Sequence, residues 1–186
     1  MARTPSNMIP LGTPAPDFTL PDPTGNVYSR DDLVGPKGLL VVFYCNHCPF
    51  VKHIREVFAR IAHEYMDKGI GVVAINSNDV ENYPDDSPEK MAEEIRNHGY
   101  RFAYLYDESQ ETARNYDAAC TPDFYLFDHT LKLVYRGQFD DSRPGNDLPV
   151  TGSDLVQAME DLLRGKKPLD EQKPSIGCNI KWKPEG

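Results

Sequence analysis

The apolar run Leu39–Tyr44 feeds directly into Cys45-Asn46-His47-Cys48-Pro49, which feeds in turn into a segment with helical periodicity. An unbroken apolar run is what a strand buried on both faces of a parallel sheet requires. Beyond it Val51, Ile54, Phe58, Ile61 and Tyr65 recur at three- and four-residue spacing, with Lys52, Arg55, Glu56 and Arg60 on the opposite face. That pattern predicts an amphipathic helix ending near Gly69. The junction also sets the chemistry. Two thiols three apart can close a disulfide with little backbone movement, so a reversible Cys45–Cys48 bond is expected. A helix N-terminus or a nearby protonated His lowers a thiol pKa from about 8.5 to roughly 3.5–7.5. The same C-x-x-C spacing occurs in zinc sites, but tetrahedral zinc needs two further ligands, and no second C-x-x-C or paired-His motif supplies them as a unit.

Composition narrows the field. At 186 residues and 39% hydrophobic content the chain reads as one domain, residues 1–186, with a sizeable core. Four cysteines in this length are too few for a disulfide-stapled scaffold and read as reduced or catalytic thiols of a cytoplasmic protein. Met1–Asn7 has no apolar signal core, and no apolar stretch approaches the ~18 residues of a membrane span. The formal net charge of −9 opposes nucleic acid and anionic membrane surfaces as partners.

Around the junction the chain alternates strand and helix signals. Residues 5–36 are rich in Pro and Gly, with short pieces at Phe18–Leu20 and Val27–Ser29 that read as an N-terminal hairpin-like extension. Val72–Ile75 and Ala103–Tyr106 are further strands. Ser87-Pro88 reads as the start of a helix running to about His98, and a short helix is expected over Ser109–Tyr116. Phe124–Phe127 and Leu131–Tyr135 form a strand pair joined by Asp128-His129-Thr130. Asp140–Asp147 reads as a polar surface loop, Ser153 as the cap of a last helix and Gly165 as its stop. The tail 166–186 carries Ile176, Cys178, Ile180 and Trp182, whose alternation would set them on one side of an extended segment docked on the domain.

The order of these elements is that of a βαβ chain with an antiparallel end, and here motifs add to pattern. Gly12-x-x-Ala15-Pro16-Asp17-Phe18-x-Leu20, the strand–Cys–helix unit, Asp107, and Cys120-Thr121-Pro122-Asp123-Phe124-Tyr125-Leu126-Phe127-Asp128 follow one another as in the thioredoxin-fold superfamily. The chain resembles its peroxiredoxin-like branch, the redoxin or AhpC-TSA type, over about residues 9–165. Pro174–Lys183 resembles one peroxiredoxin-like subgroup. The resemblance implies an α/β thioredoxin-like fold: a central mixed sheet flanked by helices, with an N-terminal hairpin extension and a docked C-terminal tail.

Two registers compete for the attacking sulfur. Pro49 suits the first helical position, which makes Cys48 the N-cap, and the apolar stripe starts cleanly at Val51. The family's Phe-to-nucleophile spacing, matched by Phe43, and its Cys-Pro dipeptide also favour Cys48. The resemblance further implies that Thr121-Pro122 is a cis-proline loop lining the disulfide, and that His47 occupies a slot where oxidising dithiol enzymes carry a His. A peroxiredoxin would have Thr at position 45 and Arg near the start of the strand Phe124–Phe127. The departures favour disulfide exchange over peroxide reduction.

The expected function is thus a thiol–disulfide oxidoreductase in which Cys48 attacks and Cys45 resolves, with an external thiol as reductant and a protein or small-molecule disulfide as substrate. Its rivals are a Cys48 thiol peroxidase with antioxidant activity and a copper- or zinc-handling module built on Cys45, Cys48 and His47 or Cys120. Cys120 and Cys178 are candidate auxiliary thiols or inert buried ones. No dinucleotide fingerprint is present, so no cofactor is expected.

Overall fold

The computed structural model describes residues 3–166 and 169–185; the ends of the expected tail, Lys167, Pro168 and Gly186, and the N-terminal Met1 and Ala2 lie outside the described residues. The strands in chain order are β1 (Arg3–Pro5), β2 (Thr19–Pro21), β3 (Val27–Ser29), β4 (Gly38–Phe43), β5 (Ile70–Asn76), β6 (Ala103–Tyr106), β7 (Cys120–Thr121), β8 (Asp123–Asp128), β9 (Leu133–Tyr135) and β10 (Ile176–Asn179). The helices are α1 (Arg30–Leu33), α2 (Pro49–Asp67), α3 (Pro88–His98), α4 (Glu111–Asn115) and α5 (Ser153–Leu163).

A five-stranded sheet in the order β6-β5-β4-β8-β9 forms the centre. β4, β5 and β6 run parallel, and β8 pairs antiparallel with β4, followed by β9 antiparallel with β8. Side chains of a strand alternate faces, so an unbroken apolar run must serve two cores. Leu40 and Val42 accordingly enter the core that holds Phe58, Ala62 and Met159 of α2 and α5. Leu39, Val41 and Phe43 enter the other, with Phe18, Ala113 and Tyr116. This is the mixed α/β architecture expected, with the hairpin extension realised as the β2–β3 pair.

Helix ends follow local chemistry. Ser29 and Asp32 form a reciprocal capping box on α1, and Ser87 accepts the Lys90 N–H at the start of α3. α2 starts at Pro49 with Cys48 as its N-cap. The last helix departs from expectation. Ser153 is its first residue rather than its cap, which is Gly152 at φ +68°. The reason is Asp140: its buried carboxylate accepts the N–H groups of Thr151 and Gly152 and so shapes the approach to α5. Asp140 also binds the Ser142 N–H and hydroxyl. The polar segment expected as a surface loop is therefore anchored inward at Asp140 and Ser142, and Ser142 meets His53 of α2 at 3.0 Å. At two other ends the sequence boundary moves: α4 is shorter than expected, and Leu131 belongs to the β8–β9 turn at φ +64°.

A second sheet went unread in the sequence. β10 of the tail lies between β1 and β7, antiparallel to both. The tail docks as expected, with Cys178 and Ile180 buried, but not with all four residues on one side. Cys178 and the half-buried Ile176 join the core under α2, whereas Ile180 joins the opposite one. The strand ends at Asn179, so the alternation does not continue. Trp182 is 39% exposed, with the Arg114 guanidinium 4.9 Å from its ring centre.

Replacing Asp140 by Ala leaves the buried N–H groups of Ser142 and Gly152 and the partly covered one of Thr151 without their acceptor, and is expected to cost about 3 kcal/mol of unfolding free energy in a urea titration. A loss below about 1 kcal/mol would mean that those groups find other partners at little cost.

Candidate active site

The site lies where three segments converge: the β4–α2 junction, the Cys120–Asp123 segment and the tail strand. The 19-residue helix α2 begins at the junction, and no side chain caps its first turn. Its N-terminal N–H groups and dipole therefore act on whatever sits at Cys48. Opposite, the peptide bond Thr121-Pro122 is cis. The Cys48 Sγ lies 3.4 Å from the Thr121 carbonyl oxygen.

The tail corrects the expected pairing. Cys48 is bonded to Cys178, while Cys45 and Cys120 are free and buried. β10 pairs with β7 in a register that sets Cys178 directly across from Thr121. Cys45 is held elsewhere: its Sγ is 3.4 Å from the Thr121 hydroxyl. No Cys45–Cys48 bond is formed, because the tail delivers the partner sulfur from the third segment. Burial, reinforced by the negative charge of Asp86, pushes the Cys45 thiol up to about 12. Cys120 is likewise driven well above an ordinary thiol, by burial first and then by Asp123.

Asp86, which no motif in the sequence marks, organises the loop between the two cysteines. It is fully buried and accepts the backbone N–H of Asn46 at 2.8 Å and of His47 at 3.3 Å. It also takes the Asn78 amide at 2.9 Å, and His47 Nδ1 lies 2.5 Å from its second oxygen. Tyr104 donates to the Asn46 side chain at 2.8 Å. His47 is thus a partly covered residue set against the Asp86 carboxylate and stacked on Tyr83 rather than a free loop histidine. A charged cleft of about 260 Å³ opens beside it, lined by Lys52, Arg55, Asp85, Lys90, Glu93 and Glu94. An apolar cavity of about 240 Å³, between α5 and residues 169–173, is lined by no cysteine or histidine.

Cys45 Sγ, His47 Nδ1 and an Asp86 oxygen lie within 4.8 Å of one another and could offer three ligands to a metal ion. One Asp86 oxygen is already engaged by N–H groups of the loop and the other by the Asn78 amide, and Cys48, expected as a ligand beside Cys45, is bonded to Cys178. The donor set is that of a loop clamp before it is that of a tetrahedral site.

With this geometry in view, the molecule is a thioredoxin-like fold in which the Cys48–Cys178 bond lies beside a cis-proline loop. Residues 11–136 match the AhpC/TSA family, and the chain belongs to it. It is 55% identical to an uncharacterized conserved protein from Geobacillus kaustophilus, covering 100% of this chain and 99% of that one with a TM-score of 0.97. At 19% identity a thiol:disulfide interchange protein from Bacteroides sp. shares the fold, with a TM-score of 0.64 over 84% of this chain and 92% of its own. Peroxidoxin BcpB from Mycobacterium tuberculosis does so at 16% identity, with a TM-score of 0.60 over 83% and 96%. No protein of curated function matches the chain in sequence. Family membership supports a thiol-based oxidoreductase or peroxiredoxin-like role.

Two outcomes follow from the site's geometry. Peptide mapping of non-reduced protein should recover Cys48 linked to Cys178, with Cys45 and Cys120 alkylated only on unfolding. A Cys45–Cys48 linkage would contradict the arrangement. The second concerns Asp123, which burial raises to about 6, against hydrogen bonds from Ala119 N–H and the Tyr125 hydroxyl that work the other way. A carboxyl raised in the folded state favours folding fully below its unfolded pKa, and that contribution is lost as pH rises through the folded value. Stability should therefore fall by on the order of 3 kcal/mol between pH 4 and pH 7 from this group, and Asp123→Asn should flatten that slope. An identical pH profile in the variant would remove Asp123 as its source.

Proposed function

We propose that the protein is a thiol–disulfide oxidoreductase in which Cys48 attacks and Cys178, in place of Cys45, resolves. The observation that carries this reading is the Cys48–Cys178 bond formed beside Thr121-Pro122, with Cys48 at the N-terminus of α2. A thiolate there is favoured by the helix dipole and, when His47 is protonated, by the neighbouring positive charge. Asp86 holds the His47 ring in place. The Cys45 thiol, pushed up to about 12, stays protonated at neutral pH and is a poor nucleophile.

In the reducing direction, the Cys48 thiolate attacks one sulfur of a substrate disulfide. That bond breaks, and its electron pair leaves on the second sulfur, which takes up a proton. Cys178 then attacks the Cys48 sulfur, forming the Cys48–Cys178 bond and releasing the second substrate thiol. An external thiol returns the pair to the reduced state. Cys45 contributes packing and its contact with the Thr121 hydroxyl.

The test is steady-state reduction of a disulfide substrate by single-cysteine variants. Cys48→Ser should lose turnover by about a thousandfold or more, as expected for removing a nucleophile. Cys178→Ser should stop after one turnover, as a mixed disulfide on Cys48, and Cys45→Ser should keep most of its rate. Equal losses in Cys45→Ser and Cys48→Ser would restore the adjacent dithiol. Hydrogen peroxide consumed faster than disulfide by the wild type would favour the peroxidase instead.

A further inference from the structure

The tail strand is seated in a slot with two walls. β1 pairs with one edge of β10, at Arg3↔Cys178 through Pro5↔Ile176, and β7 pairs with the other, at Cys178↔Thr121 and Asn179↔Cys120. Ser175 donates its hydroxyl to the Pro122 carbonyl at 2.6 Å and accepts the Ser6 N–H at 2.8 Å. Gly177 lies so close to the floor that a Cβ there would overlap the Thr121 carbonyl oxygen. The slot therefore selects an extended chain with glycine immediately before its cysteine. Beyond β10 the tail is tied down separately. The Lys181 carbonyl accepts from Asp79 N–H and the Gln110 amide, and Lys183 N–H donates to Gln110. Both sulfurs of the Cys48–Cys178 bond are covered, at 0% and 1% exposure, so nothing reaches Cys48 while the strap is seated.

We infer that the slot between β1 and β7 is the docking site for an extended, cysteine-bearing segment of a partner protein, and that Ser175–Asn179 is its tethered resident. The inference rests on Cys48 being the attacking thiol. In the reduced protein the strap leaves the slot, staying tied at Lys181–Lys183, and a partner segment pairs in its place with its disulfide against Cys48. Attack forms the Cys48–partner bond and sends the electron pair and a proton to the partner's other sulfur. When the strap returns, Cys178 attacks the Cys48 sulfur, and the same strand movement that brings the resolving thiol evicts the partner segment as a free thiol. Resolution and product release become one event. Backbone pairing supplies the affinity, and the close approach at the glycine position supplies the selectivity.

The probe is a hexapeptide with the strap's own sequence, Ser-Ile-Gly-Cys-Asn-Ile, its cysteine carried as a mixed disulfide with thionitrobenzoate. Its counterpart has Ala in place of Gly. Reduced full-length Cys178→Ser is mixed with each, and the Cys48–peptide adduct is followed by mass spectrometry, with Cys48→Ser/Cys178→Ser as background. The Gly peptide should be captured about tenfold faster than the Ala peptide, because the added methyl must force the strand off the Thr121 carbonyl. Adding Gly177→Ala or Ser175→Ala to the Cys178→Ser chain weakens the resident strap and should speed capture of the Gly peptide. Ser175→Ala keeps this arm decisive if Gly177→Ala fails to fold. Equal capture of both peptides, or no acceleration by either added substitution, overturns the slot if the same protein still reacts through Cys48 with Ellman's reagent. If Cys48 reacts with neither the peptides nor Ellman's reagent, the exchange reading itself fails, and the slot with it.

Discussion

The antiparallel pairing that sets Cys178 opposite Thr121 decides which sulfur Cys48 meets. A slip of one residue would turn Cys178 to the other face of the strand, because side chains alternate with period two. Several contacts resist that slip. Gly177 alone lacks the Cβ that would overlap the Thr121 carbonyl, Ser175 is fixed on Pro122, and the chain beyond is tied to Gln110. The cysteine nearest Cys48 in sequence is excluded by the same geometry, since Thr121 presents its hydroxyl to Cys45 and its carbonyl to Cys48.

Two cysteines three residues apart thereby receive opposite electrostatic surroundings. Cys48 stands at the N-cap of a long helix whose dipole favours a thiolate. Cys45 is sealed in the core within reach of the Asp86 charge, and both burial and a like charge disfavour its ionised form. Asp86 is kept in place by the loop it organises, accepting from Asn46, His47 and Asn78. One buried carboxylate so steadies the junction, lies against His47 and adds to the burial that keeps the second thiol protonated. Removing it would leave several buried donors unpaired as well as altering the site.

Much of this was legible in the sequence, and the limits have physical reasons. The run Leu39–Phe43 announces a strand with two buried faces, and the stripe from Val51 announces α2, because both signals are local and periodic. Pro49 placed the N-cap at Cys48 for an equally local reason. The resemblance brought Thr121-Pro122 to the site. The pairing of Cys48 with Cys178 was hidden because it depends on a strand of four residues crossing 130 positions of sequence, and spacing favours the near neighbour. Asp86 and Asp140 were hidden because an Asp-Asp pair in a polar stretch reads as solvated, and only the fold reveals the N–H groups converging on one member of it. Trp182 reads otherwise in the fold: its apolar ring argues for burial, whereas the Arg114 guanidinium covers a face of it at the surface.

The strap and the bond it carries are linked thermodynamically. Closing a loop across 130 residues removes conformational freedom from the unfolded chain, worth roughly 5 kcal/mol on the chain-entropy account. The pairing of β10 with β1 and β7 offsets part of the same cost, by raising the effective concentration of Cys178 beside Cys48 whenever the strap returns to its slot. Because binding free energies are reciprocal, whatever the bond contributes to seating the strap, the seated strap contributes to forming the bond. Gly177 and Ser175 are not part of the bond, yet in a dithiol whose strap is unseated each kcal of pairing they provide favours the disulfide. Weakening either makes the bond easier to reduce, at about 30 mV for every ~1.4 kcal/mol lost. On the proposed exchange chemistry, strand pairing in the tail sets the poise of the Cys48–Cys178 pair as well as access to it.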